Sequence, residues 1–160
     1  MNVGLVNIMI NALNVSNNIL YRAELEGYCI TNIKLHRLLC FVYKQYIKKS
    51  GMALFSERFE TWSRGPVIAS IYDAFKSYND RLIKDLYYDC DGIAWCVDRW
   101  SNADFRESIS FVYDKYMPFS GIQLSMVICM DNTAWHKAKI AGKQFLDDDD
   151  IRNEAWFDVV

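Results

Sequence analysis

The stretch from Ile30 to Ile83, ITNIKLHRLLCFVYKQYIKKSGMALFSERFETWSRGPVIASIYDAFKSYNDRLI, carries most of what the chain reveals about its fold. Thr31 suits a helix N-cap. Behind it Leu35, Leu38, Leu39, Val42, Tyr46 and Ile47 recur at the i, i+3, i+4 spacing of one helix face until Ser50 and Gly51 end the pattern. This predicts a central core helix. From Glu57 to Trp62 charged and apolar residues alternate as in a short strand, and Ser63, Arg64 and Gly65 turn into Pro66. Pro66 fits position N1 of a further helix, where any residue's N–H lacks a partner and the fixed φ of proline suits the first turn. Ile68, Ile71, Tyr72, Phe75 and Tyr78 supply that helix's apolar stripe, with Asp73 and Lys76 outward and an end near Tyr78 and Asn79.

The side of the central helix away from its stripe carries Lys34, Arg37, Lys44, Lys48 and Lys49. Charges opposite an apolar stripe are expected to be a solvated face, the alternative being a surface for phosphates or an acidic partner. His36 lies between the two faces and receives no role, since a lone helical histidine is more often structural or at the surface than a ligand.

Outward from this stretch the reading is mainly helical. A first helix is predicted from Val15 to Glu26, with Ile19, Leu20, Ala23 and Leu25 on one side and Gly27 after its end. The sequence leaves open whether Asn2 to Asn14 continues it. Asp85 to Asp98 reads as a β-hairpin about Asp91 and Gly92, with Leu86, Tyr88, Cys90, Ile93, Trp95 and Val97 on one face and Asp85, Asp89 and Asp98 on the other. That face is expected to cover the core, with a partner-binding edge as the alternative. Helices follow at Ala103 to Met117, Gly121 to Met130 and Trp135 to Ile140, and Asp147 to Asp150 mark the start of a last one before Ile151, Ala155, Trp156 and Phe157. The expected fold is mainly α (α+β): a helical domain with a small antiparallel β-hairpin or sheet, in a single domain over residues 1–160.

Composition narrows the class. A chain of 160 residues with 52% hydrophobic residues, 15% aromatics and two prolines can bury roughly 70% of its unfolded surface. A net charge of −2 gives no general attraction to polyanions, so direct nucleic-acid binding is disfavoured. Cys29, Cys40, Cys90, Cys96 and Cys129 form an odd, unpaired set suited to a reducing cytosol. The apolar run from Val3 to Leu13 contains Asn7 and Asn11 and lacks signal-peptide flanks, and no stretch reaches the ~18 apolar residues of a membrane span. A cytoplasmic protein is expected.

Two histidines, no glycine-rich phosphate loop, no nucleophile elbow and no H-E-x-x-H leave no catalytic constellation, so no enzyme is expected. The C-x5-C spacing of Cys90 and Cys96 does not suit zinc, and the aspartate run lacks a second carboxylate cluster. Neither metal nor cofactor is expected.

The order I-T-x-x-K-L-x-[KR]-L-L-x-[FY] at Ile30 to Phe41, then Leu54 and Phe55, then F-E-x-W-x-x-G-P-V from Phe59 to Val67 and I-Y-x-x-F-K from Ile71 to Lys76, resembles the Panacea domain, which includes SocA-like antitoxins and phage-associated GepA-like proteins. Leu124, Ser125 and Trp135 match a downstream L-S…W signature, and Ile151 with Trp156 and Phe157 resembles a terminal I…[YW]-F. The chain departs from the pattern at His36, where glutamine is usual, at Ile128 and Cys129 in place of threonine and histidine, and at Ala134 in place of proline. The resemblance implies a non-enzymatic protein that binds and neutralises a cognate toxin, or a stand-alone phage or mobile-element protein that binds a host defence protein such as a nuclease complex. It marks Lys34, Arg37, Trp62, Arg64, Gly65, Pro66 and Val67 as the family core and as candidate partner-binding residues.

Overall fold

The computed structural model describes residues 2–6, 9–156 and 158–159. Asn7 and Phe157, named above, lie outside the described residues. Around half of the chain is helical, with small two-stranded sheets, as the sequence reading expected.

Helix α2 (Asn32–Ser50) is the axis. Thr31 Oγ1 accepts from the Lys34 N–H at its start, and Gly51 closes it in the left-handed region at φ 73°. Leu35, Leu38, Leu39, Val42 and Ile47 are buried, as their spacing predicts. The opposite side, however, is not solvated along its length, because Lys34, Arg37 and Lys44 are buried as well. Other elements enclose the helix: α1 (Ala12–Glu26), α3 (Ala69–Phe75), α4 (Ala103–Tyr116), α5 (Gly121–Ile128) and α7 (Asp148–Asn153) all pack on it. Each buried cation is drawn inward onto oxygen. Lys34 Nζ donates to the Met117 carbonyl at 2.6 Å, and Lys44 Nζ donates to Glu154 Oε1 and the Ala155 carbonyl, both at 2.9 Å. Burial lowers the pKa of both lysines, an effect that Glu154 opposes at Lys44.

Strand β2 (Glu60–Trp62) falls within the expected strand, but its antiparallel partner is β3 (Gly65–Val67), where a helix start was expected, with Trp62 opposite Gly65 and Thr61 opposite Pro66. Pro66 is thus a strand residue, and α3 begins three positions later, with Ile68 at its N-cap. A two-stranded ribbon accommodates proline because half of its backbone groups point outward. The Thr61 N–H opposite Pro66 is turned away, to the Gln144 carbonyl at 2.8 Å, so the pairing demands no N–H from Pro66. The stripe predicted for α3 also changes: Ile68, Ile71 and Phe75 are buried, but Tyr72 is exposed.

Residues 85–98 do turn at Asp91 and Gly92, where the Gly92 N–H donates to the Asp89 carbonyl and the Asp89 N–H to the Ile93 carbonyl. The longer hairpin does not form. Strand β4 (Ala94–Val97) instead pairs in parallel with β1 (Val3–Val6), which also answers the open question of the N-terminal run. The buried amides of α1 take the strand's remaining edge. Asn17 Nδ2 donates to the Trp95 carbonyl, and Asn18 exchanges two hydrogen bonds with Val97, donating to its carbonyl and accepting from its N–H. A hairpin partner would compete with these bonds. Trp95 and Tyr88 accordingly stand partly exposed while Leu86 and Val97 are buried, so the six residues do not share one covered face.

The C-terminal half follows the sequence closely. Helix α4 has Phe105, Ile109, Val112, Tyr113 and Tyr116 inside, α5 opens with a Ser120–Gln123 capping box, α6 spans Ala134–Ile140, and Asp147 caps α7. Gly121 is needed for packing: a Cβ there would lie 2.7 Å from the Lys34 backbone nitrogen, so the first turns of α5 and α2 touch main chain to main chain. Among the described residues no helix is long and apolar enough to cross a membrane.

Candidate functional site: a cavity and an apolar ridge beside the β2–β3 turn

The β2–β3 ribbon is held to α2 by Arg37. Its Nη1 donates to the Pro66 carbonyl at 2.7 Å, Nη2 to the Arg64 carbonyl at 2.6 Å, and Nε to Ser125 Oγ on α5 at 2.7 Å. One buried guanidinium therefore ties three elements together through neutral oxygens, and burial lowers its pKa. Gly65, at φ 129°, leaves room for it; a Cβ at that position would stand 2.6 Å from Arg37 Cζ.

Beyond the ribbon lies a cavity of about 570 Å³ lined by Arg37, Trp62, Arg64, Gly65 and Val67, together with residues from α2, α3 and the loop after it. The structure thus assembles most of the sequence-predicted set around one feature, and Pro66 joins it through the bond from Arg37. Lys34 is not part of it. Its ammonium lies on the Met117 carbonyl, and the residue lines a second cavity of about 620 Å³, which shares Asn32, Ile33, Asn79 and Asp80 with the first.

Among the lining residues of the first cavity that the sequence reading did not assign to a site are Asn32, His36, Tyr72 and Lys76. Asn32 and His36 project from α2 one turn apart, and Tyr72 and Lys76 come from α3 and the 3₁₀ turn that follows. Asn32 Nδ2 donates to the carbonyls of Phe75 and Asn79, which leaves its buried Oδ1 without a hydrogen-bond partner among the described residues. His36 is only 4% exposed, and neither ring nitrogen has a partner among the described residues. Burial, and secondarily the Arg37 charge, push its pKa from 6.5 down to about 3, so the ring is neutral at physiological pH. The i, i+4 spacing of Asn32 and His36 was visible in the sequence, but nothing there indicated a cavity.

At the surface the turn presents Trp62, Ser63 and Arg64, all exposed. The Trp62 ring leans on Tyr72, centroids 4.9 Å apart and planes at 56°, its Nε1 donates to Glu60 Oε2, and its carbonyl accepts from Trp135 Nε1 at 2.9 Å. Beside the turn runs α5. Its Ser125 and Cys129 face Arg37 and the Arg64 carbonyl, while the adjoining row shows Ile122 and Met126 to solvent, 71% and 69% exposed, with Met130 half-exposed beyond the helix end. A ridge of unbranched and branched aliphatic side chains beside an exposed tryptophan and arginine is the composition of a protein-binding patch.

The profile of the antitoxin SocA-like family, Panacea domain, matches residues 35–136. The chain belongs to that family. The matched segment takes in α2 from Leu35 onward, the β2–β3 ribbon, α5 and the cavity lining apart from Asn32 and Ile33, whereas Lys34, β1, α1 and α7 fall outside the match. No curated protein and no solved structure matches the chain.

Proposed function

We propose that this Panacea domain acts as an antitoxin by binding a protein toxin stoichiometrically, without catalysis, in the cytoplasm. The observation that carries this reading is the exposed patch formed by Trp62, Arg64, Ile122, Met126 and Met130 inside the family segment. Apolar anchors beside an arginine and a tryptophan are the residue types that dominate interface energetics. Arg37 and Lys34 serve the interface from below, fixing the ribbon and the first turn of α2.

The test is to express the tagged chain in its native host and identify what co-purifies. Stoichiometric recovery of a small protein that arrests growth alone and is neutralised by this chain is the expected result. Recovery of a host nuclease complex instead, with no such protein, would replace the antitoxin reading with that of a stand-alone inhibitor of host defence.

A further inference from the structure

Strand β1 lies at the edge of its sheet with one side unpaired. In a strand, alternate residues turn both of their backbone groups to the same neighbour. The bonds from the Ala94 N–H to the Asn2 carbonyl and from the Asp98 N–H to the Val6 carbonyl set the phase, so Gly4 and Val6 face β4. The N–H and C=O of Val3 and of Leu5 therefore point away from β4, and among the described residues they have no hydrogen-bond partner. The far edge of β4 is closed by Asn17 and Asn18, which leaves the open edge to β1. Exposed strand edges are ordinarily protected by charge, proline or a bulge, because they template pairing with another chain. Val-Gly-Leu-Val has none of these: its register is continuous, and no Asp, Glu, Lys, Arg or His occurs between Asn2 and Tyr21.

Beside this edge Val3 and Leu5 line a cavity of about 370 Å³ together with Tyr21 and Leu25 of α1 and Trp100. All five are exposed, Leu5 to 62% and Trp100 to 79%. The charged residues of the lining are Arg22, paired with Glu26, and the adjacent, opposite charges of Asp98 and Arg99, so the surface does not select a strongly acidic or basic strand. What fits is an uncharged, apolar strand, and β1 is itself one. A two-fold axis at Gly4, perpendicular to the sheet, sets Val3 of one copy against Leu5 of the other. Each such pair exchanges both of its N–H···O bonds, so every outward group is used. Gly4 meets Gly4 at the axis, the close pair of an antiparallel ladder, with no side chain to separate them. The same operation keeps the two sheets facing the same way, which brings the two apolar cavities side by side. A stable interface buries roughly 800 Å² per partner, and a ladder this short falls below that, so the exposed apolar side chains are a necessary part of the contact.

We propose that β1 is a homodimerisation edge: two copies of the chain pair antiparallel through Val3–Val6, joining their sheets into one, with Leu5, Leu25 and Trp100 of both copies meeting on one face. The inference goes beyond the antitoxin reading and does not rest on it, since the ridge beside the β2–β3 turn is built from other residues.

The test is sedimentation velocity of the purified full chain over a concentration series, with amide hydrogen exchange at both ends of the series. A reversible monomer–dimer equilibrium with a Kd below about 100 μM is expected. The Val3 and Leu5 amides are expected to exchange at least about tenfold more slowly in the dimer, while those of Gly4 and Val6, bonded to β4, keep their rates. Leu5→Pro removes only an outward N–H, which an edge strand tolerates, and is expected to weaken the dimer at least about tenfold. Its unfolding midpoint should stay close to that of the unmodified chain where both are monomeric. Leu5→Lys charges the edge and keeps every backbone group, so it supplies a second variant should proline disturb β1, with the same expected loss. A chain that stays monomeric, a dimer that survives the folded variants, or Val3 and Leu5 amides that exchange at one rate throughout overturns the proposal. Protection of those amides in a monomeric chain by a co-purifying protein also overturns it and assigns the edge to that partner. None of these results touches toxin binding, which is measured separately.

Discussion

Arg37 and His36 are neighbours on one helix and similarly withdrawn from water, 2% and 4% exposed, yet the fold treats them oppositely. Arg37 is committed: its guanidinium reaches two ribbon carbonyls and a serine hydroxyl. His36 makes no hydrogen bond through its ring among the described residues and stays neutral beside a cavity. A buried cation supplied with oxygens is scaffold, while a buried neutral ring without partners is carried at a cost to stability. The difference separates a residue that fixes the ribbon from one whose ring nitrogens tie it to no described neighbour.

The comparison breaks first if Arg37 is dispensable. Arg37→Met strands the Pro66 and Arg64 carbonyls and is expected to lower stability by about 4 kcal/mol, read by urea unfolding. Loss of less than about 1 kcal/mol would mean that the ribbon holds itself. Gly65→Ala attacks the same knot from the other side. Its Cβ would enter the space of a guanidinium locked by three hydrogen bonds, at a backbone φ suited to glycine, and about 3 kcal/mol is the expected loss.

His36 sharpens the comparison through pH. The unfolded chain takes up a proton near pH 6.5 that the folded ring refuses down to about pH 3, so the folded state holds its full stability above pH 6.5 and loses it as pH falls through that window. Between pH 8 and pH 5 the loss attributable to this ring is roughly 2 kcal/mol. His36→Leu should remove that component, and thermal unfolding of both proteins across the range measures it. The smallest stability effect belongs to the surface: Arg64→Glu changes an exposed side chain and should shift stability by no more than about 0.5 kcal/mol. Its role is to be read in partner binding alone.

Much of the fold was legible because its signals are local. Thr31 and Gly51 bound α2, Gly27 ends α1, and Asp147 starts α7, each through bonds made within a turn of chain. What the sequence hid depends on distant partners. A lysine's spacing does not say whether it meets water or the Met117 carbonyl 83 residues away, so Lys34, Arg37 and Lys44 read as a solvated face. Asp91 and Gly92 correctly marked a turn, but the edge needed for a hairpin was taken by the amides of Asn17 and Asn18. Pro66 suited a helix start by its own φ, and only Thr61's bond to Gln144 shows why a strand accepts it. The motif from Trp62 to Val67 lies beside the cavity, whereas the other lining residues Asn32, His36, Tyr72 and Lys76 come together only through the packing of α2 against α3.

The most direct measurement is the affinity of the co-purifying toxin for the folded double variant Arg64→Glu, Met126→Asp, by isothermal titration calorimetry beside the unmodified chain. A loss of at least about a hundredfold, with unfolding midpoints nearly unchanged, is the expected result for hot-spot residues at the centre of an interface. Unchanged affinity in a folded double variant would contradict the placement of toxin binding on the ridge beside the β2–β3 turn.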